Sequence, residues 1–156
     1  MSLPDPTRFP QGMDAAPEPL SDAMRQQLIE DLDRSRTGFG IAPAFTGEAF
    51  LRSATCGDEV RVQVSVEDGI LLALNWQGHG CTVSTASASA LCEVATGVPV
   101  AEFHRQFERF SESVWNGVLP DDDLGDAAVF AGIGRLPLRG GCATLAWRAA
   151  AEAVAA

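Results

Sequence analysis

Thr55-Cys56-Gly57-Asp58-Glu59-Val60-Arg61-Val62-Gln63-Val64-Ser65-Val66-Glu67-Asp68-Gly69-Ile70-Leu71-Leu72-Ala73-Leu74-Asn75-Trp76-Gln77-Gly78-His79-Gly80-Cys81 is the stretch on which the fold turns. Val60, Val62, Val64 and Val66 alternate with Arg61, Gln63 and Ser65. That period of two predicts a strand in a sheet with one wet face. Residues 70–76 read as a second strand, and Glu67-Asp68-Gly69 between them is a hairpin turn signal. A hairpin brings its two ends together, so Cys56 and Asp58 are expected beside Cys81. A third thiol, Cys142, arrives much later, in Arg139-Gly140-Gly141-Cys142-Ala143-Thr144-Leu145. Three thiols and one carboxylate at one point suggest a metal site or a sulfur-handling site.

Ala49-Phe50-Leu51-Arg52-Ser53-Ala54 predicts a further strand, giving a small antiparallel sheet. Before it, Ser21 can cap a helix over 22–36, with Met24, Leu28 and Leu32 as its buried stripe and Glu30–Arg34 as an i,i+4 pair. Residues 1–20 carry five prolines, Pro4, Pro6, Pro10, Pro17 and Pro19, and read as an irregular lead-in to a single domain over 21–156. From Thr82 the pattern turns helical and stays so to Thr96, rich in Ser and Ala that permit close packing on the sheet. Cys81 then lies just ahead of a helix N-terminus, where the dipole favours thiolate. Cys92, on that helix with no glycine or acid partner suited to ligation, reads as a small buried hydrophobe.

Pro99 suits the first turn of a helix carrying Phe103, Phe107 and Phe110; His104 on it reads as a partly exposed or core-edge residue. Asp121-Asp122-Asp123 lacks the alternating acids and terminal glutamate of a calcium loop and reads as solvated. A short helix is expected over 127–133. The last helix is expected to begin near Cys142 and to run through Leu145, Trp147 and Val154, which would give Cys142 the same electrostatic bias as Cys81. The fold class is therefore α+β, a three-stranded antiparallel sheet covered by helices.

Composition narrows the function. At 156 residues with 46% apolar content, the chain suits one ordinary core. Eleven basic residues, all arginine, stand against 21 acids for a net charge of −10. That argues against nucleic acid and against an anionic membrane surface as partners. The absence of lysine excludes Schiff-base and P-loop lysine chemistry. No apolar run is long enough to span a bilayer and no secretion signal is visible, so a cytoplasmic location is the default expectation. Four cysteines in such a chain point to metal or catalysis rather than disulfides. Cys56, Asp58, Cys81 and Cys142 together make a tetrahedral donor set acceptable to Zn²⁺, and an aspartate in place of a fourth cysteine should exchange more readily. Arg139, just before Cys142, can offset part of the negative charge.

Cys56-Gly57-Asp58, Gly78-His79-Gly80-Cys81, Ser84-Thr85-Ala86-Ser87-Ala88-Ser89 and Cys142-Ala143-Thr144-Leu145-Ala146-Trp147 jointly resemble the SufU/IscU/NifU N-terminal family of iron–sulfur cluster assembly proteins. The likeness is greater to the SufU branch. The interval between Cys81 and Cys142 leaves room for the extra helical insertion of that branch, and Gly141 stands where scaffold members have histidine. The resemblance implies the SufE/NifU-like, IscU-like fold. It implies a zinc-dependent sulfurtransferase, an enzyme-like carrier, with Cys56, Asp58, Cys81 and Cys142 as metal ligands. Cys56 would be the thiol released to take persulfide sulfur from a SufS-type cysteine desulfurase, Arg139 the arginine held near the site, and SUF scaffold proteins the downstream partners. The alternative it implies is a scaffold on which a transient [2Fe-2S] cluster is assembled.

Overall fold

The computed structural model describes residues 21–53, 56–120 and 122–156; the proline-rich lead-in and Ala54 lie outside them. The hairpin is as expected. Strand β2 (Glu59–Glu67) runs antiparallel to β3 (Ile70–His79), and β1 (Gly47–Arg52) pairs antiparallel with β2 on its other side, in the order β1-β2-β3. Asp68 and Gly69 form the two-residue turn, both with positive φ (53° and 77°). That is the primed geometry matching the twist of the flanking strands. β1 begins and ends two residues earlier than its sequence suggests, because the pairing of Arg52 with Glu59 exhausts the ladder.

Val60, Val62 and Val64 all face the core, as do Leu74 and Trp76. The alternation breaks where the register slips, with Val66 facing Leu71 and the exposed Leu72 left over as a bulge. The other face of the sheet is not wholly wet. Residues 37–46 cross it, and Gln63 is buried there with its Oε1 accepting from Ala42 N–H at 2.8 Å. The same segment guards the open edge of β3: Gly40 N–H donates to Trp76 O, Trp76 N–H to Gly38 O, and the Trp76 indole to Thr37 O.

Helix α1 (Asp22–Ser35) starts as expected, with the Ser21 hydroxyl accepting from Met24 N–H. Its buried face is Ile29 and Leu32, not Met24, which is 56% exposed. Nor does Glu30 meet Arg34: Arg34 pairs with Asp31, and Glu30 accepts from Gln26. Arg25 reaches across to the carbonyls of Val129 and Ala131, anchoring α1 to the later part of the chain. Replacing Ser21 with alanine removes the cap and is expected to cost about 1 kcal/mol. Thermal melting should fall by roughly 2–4 °C; an unchanged melting point would mean the hydroxyl does no capping in solution.

Helix α2 (Thr82–Ala95) and helix α4 (Pro137–Ala155) cover the sheet, and Ser87 Oγ ties them by donating to Ala143 O at 2.5 Å. Ser and Ala along α2 are almost all buried, which is what lets it approach so closely. Helix α3 (Val100–Asn116) begins after Pro99 and buries Phe103 and Phe110 against Trp147 of α4. His104 is exposed on it. Residues 127–133 do not make the expected α-helix. Asp122–Phe130 is a 3-10 segment kinked at Gly125, and Ile133–Arg135 is a second short one. Arg109 pairs with Asp123, while Asp121 and the side chain of Asp122 lie outside the described residues.

Candidate metal centre

Glu59 pairs with His79 at the open end of the hairpin, so the next residues outward, Asp58 and Gly80, meet. Glycine is required at 80, since a Cβ there would lie 2.8 Å from the Asp58 carboxyl carbon. The approach places Cys81 against Asp58: the Cys81 backbone N–H donates to the carboxylate. On the other side, Ser53 N–H donates to Asp58 O at 2.7 Å and closes the loop that carries Cys56. Gly57 turns that loop at φ 76°. Cys56 is exposed, and its thiol lies 3.0 Å from Ser53 Oγ.

Cys142 arrives from α4. It is not at the helix start. The helix begins at Pro137, whose ring suits the first turn, so Cys142 lies in its second turn and lacks the expected N-terminal bias. The glycines before it do not begin the helix, and Gly140 lets it pass a neighbour: a Cβ there would strike the Trp115 ring at 2.4 Å, whereas Gly141 faces open space. Cys142 is 3% exposed, and its Sγ stands 3.6 Å from that of Cys56. Ligand atoms of Cys56, Asp58 and Cys142 all lie within 4.8 Å of one another. Cys81 stands beside this trio as the N-cap of α2, with its thiol donating to Ser84 Oγ at 3.9 Å, but its sulfur is not within 4.8 Å of all three ligand atoms. The open end of the hairpin and the late cysteine thus meet through Cys56, Asp58 and Cys142, while Cys81, expected as the fourth member, lies at the edge of the group. Arg139 is exposed on the first turn of α4 and makes no side-chain hydrogen bond or ion pair among the described residues. Cys92 is elsewhere, 3% exposed, its thiol pushed up to about 12 by burial and by Glu93.

Two serines join the site to which the sequence assigned no role there, although Ser84 opens the Ser84-Thr85-Ala86-Ser87-Ala88-Ser89 run. Ser53 touches Cys56. Ser84 Oγ donates to Asp58 Oδ2 at 2.5 Å, lies 3.4 Å from Cys142 O, and receives the Cys81 thiol at 3.9 Å. Each stands three residues from a cysteine, Ser53 before Cys56 and Ser84 after Cys81, and that spacing is the signal that could have found them.

The electrostatics suit a cation. Burial raises the Asp58 carboxyl, but hydrogen bonds from Ser84, the Cys142 thiol, the Cys81 backbone and the Cys56 thiol outweigh it and hold its pKa below the ordinary value. The Cys142 thiol is driven well above its ordinary range by burial, and further by Cys81, Cys56 and Asp58. Crowding of acceptors and would-be anions is what a bound dication relieves. The spacing fits as well: two thiolates on one tetrahedral Zn²⁺, each with a bond of about 2.3 Å, lie about 3.8 Å apart, close to the 3.6 Å between Cys56 and Cys142.

Residues 37–135 match the model of the NifU-like N terminal domain, a span that ends before Cys142. The chain is 35% identical over 105 residues to the iron-sulfur cluster assembly scaffold protein IscU of Streptococcus pyogenes serotype M1, covering 67% of this chain and 66% of that one. It therefore spans just under two thirds of that relative's length. It is 31% identical over 106 residues to the zinc-dependent sulfurtransferase SufU of Bacillus subtilis, covering 67% of this chain and 72% of that one. The crystal structure of FiSufU from the thermophile Fervidobacterium islandicum superposes with a TM-score of 0.73 at 21% identity, over 83% of this chain and 96% of that one, and shares the fold. With the sheet order, the hairpin-end thiols and these matches in agreement, the chain belongs to the NifU-like N-terminal domain family.

Proposed function

We propose that this protein is a zinc-dependent sulfur carrier for iron–sulfur cluster assembly, taking sulfur from the persulfide of a SufS-type cysteine desulfurase and passing it to SUF scaffold proteins. One observation carries the reading: an exposed thiol, Cys56, stands 3.6 Å from a buried one, Cys142, beside a buried carboxylate. Cys56, Asp58 and Cys142 would hold the metal with Cys81 as fourth ligand, and Arg139, one turn before Cys142 and without a side-chain partner among the described residues, would offset part of the excess negative charge. Bound zinc would hold the thiols as thiolates and shield them from stray oxidation.

The chain's own residues supply the rest. Cys56 alone of the three site thiols is exposed, so it is the sulfur that a donor can reach. Its thiolate attacks the terminal sulfur of the donor persulfide. A new S–S bond forms on Cys56, the donor's S–S bond breaks, and the donor cysteine leaves as thiolate, with no net oxidation. Cys81 and Cys142, less exposed, remain behind. The reading assumes a reducing, cytoplasmic setting. No helix among the described residues is long and apolar enough to cross a membrane.

The alternative, a scaffold for a [2Fe-2S] cluster, has in its favour the name of the Streptococcus relative. Gly141 weighs against it, because a scaffold of this kind is expected to carry histidine immediately before the last cysteine. Metal content of freshly purified protein, wild type beside Asp58→Ala, tests the choice. About one zinc per wild-type chain is expected, with affinity at least roughly tenfold weaker in the variant, since one of four ligands is gone. Iron with visible absorbance would instead favour the scaffold. No metal in protein with reduced thiols would end both readings.

A further inference from the structure

We propose that Ser84 is a positioning residue for the metal centre, holding Asp58 to a single-oxygen mode of binding; the inference rests on the carrier reading above. Ser84 lies in the first turn of α2, three residues after the N-cap Cys81. From there its hydroxyl reaches three of the four site residues without being a suitable ligand itself. The contacts are not equal. Asp58 Oδ2 is at 2.5 Å, Cys142 O at 3.4 Å, and the Cys81 thiol, a donor, at 3.9 Å. A hydroxyl has one proton, and the short distance to a carboxylate oxygen marks a charge-assisted bond. The proton goes to Oδ2.

The consequence is geometric. Asp58 is 6% exposed, with Gly80 packed so close to its carboxyl group that even a Cβ would collide. The carboxylate therefore cannot swing into solvent. Ser84 commits one lone pair of Oδ2 and fixes the carboxylate plane, which disfavours Oδ2 as a second metal-binding oxygen and leaves Oδ1 the better placed one. A carboxylate released from such a restraint can add its second oxygen and expand the coordination beyond tetrahedral, or drift out of line with the thiols. Groups hydrogen-bonded to a ligating carboxylate commonly set metal affinity by tenfold or more when removed.

Co²⁺ replaces Zn²⁺ as a visible probe, because tetrahedral Co²⁺ absorbs more strongly than Co²⁺ with five or six ligands. Wild type, Ser84→Ala and Ser84→Thr are each loaded with Co²⁺ and, separately, titrated with Zn²⁺ against a chelator, with melting of the metal-free proteins alongside. Ser84→Ala is expected to bind Zn²⁺ at least about tenfold more weakly and to show a weakened, shifted Co²⁺ band, with metal-free melting near wild type. Ser84→Thr, which keeps the hydroxyl, is expected to restore both metal readouts. Equal affinity and an unchanged spectrum in Ser84→Ala would overturn the role. So would a loss that threonine does not rescue and that tracks metal-free stability, since that is the mark of packing alone. Wild-type protein that takes neither metal would overturn the carrier reading along with this one, whereas a wild-type site unaffected by Ser84→Ala removes this one only.

Discussion

Cys56→Ser is expected to abolish sulfur transfer, by more than about a hundredfold, because a serine hydroxyl is no substitute for a thiolate at neutral pH. The expectation is specific to position 56. Cys142 is 3% exposed and Cys81 half-buried behind Asp58 and Ser84, so neither can stand in as acceptor when a donor persulfide approaches from solvent. The same exposure makes the substitution cheap for the fold: Cys56 sits in an exposed turn where its thiol meets Ser53 and Cys142, a serine hydroxyl can keep polar contacts there, and melting of the metal-free variant should stay close to wild type. The measurement is intact-protein mass after incubation with a cysteine desulfurase and cysteine, looking for one added sulfur atom, with Cys81→Ser alongside. Retained transfer in Cys56→Ser would transfer the acceptor role to another thiol and undo the carrier mechanism as drawn. Loss of transfer together with loss of the fold is not expected, and the melting curve distinguishes it.

The hairpin was legible because its information is local. Four valines at a period of two, followed by Glu67-Asp68-Gly69, leave one sensible arrangement, and the meeting of Asp58 with Cys81 follows from the strand lengths. The Ser21 cap of α1 and the start of α2 after Cys81 were local too. What could not be read required knowing which surface each element meets. Met24 lies on a plausible helical stripe, but Arg25 draws that helix toward the carbonyls of Val129 and Ala131, and the face turned inward is that of Ile29 and Leu32. The start of α4 was hidden for the same reason. Two consecutive glycines before Cys142 look like a helix boundary by propensity, and only the Trp115 ring shows why the helix interior has glycine at 140; nothing packs against Gly141. The ligand candidates were visible as residue types; the serines that hold them were visible only as spacing, since a serine beside a cysteine has many bland explanations.

Trp147→Ala is expected to be the most damaging single change to stability, costing about 3–5 kcal/mol. Trp147 is fully buried, its ring stacked on Phe110 with centroids 4.2 Å apart and lying nearly parallel to Phe103 at 6.3 Å. It joins α3 to α4, the helix that carries Cys142. Truncation opens a cavity that two stiff phenylalanines cannot collapse into. For a domain of ordinary stability that is a large share of the total, and the melting temperature of the metal-free protein should fall by roughly 6–20 °C. Trp147→Phe makes the cause visible. The indole N–H meets no acceptor among the described residues, so phenylalanine removes no protein hydrogen bond and keeps a ring in the stack; its loss should be less than half that of alanine. Equal losses would mean that the stack contributes little and that indole volume alone is what matters. The damage should also reach the metal. Cys142 lies five residues before Trp147 on one continuous helix, and its sulfur must hold station 3.6 Å from Cys56. A looser α4 widens that distance, so zinc should be lost to a chelator faster from Trp147→Ala than from Trp147→Phe, although neither substitution touches a ligand.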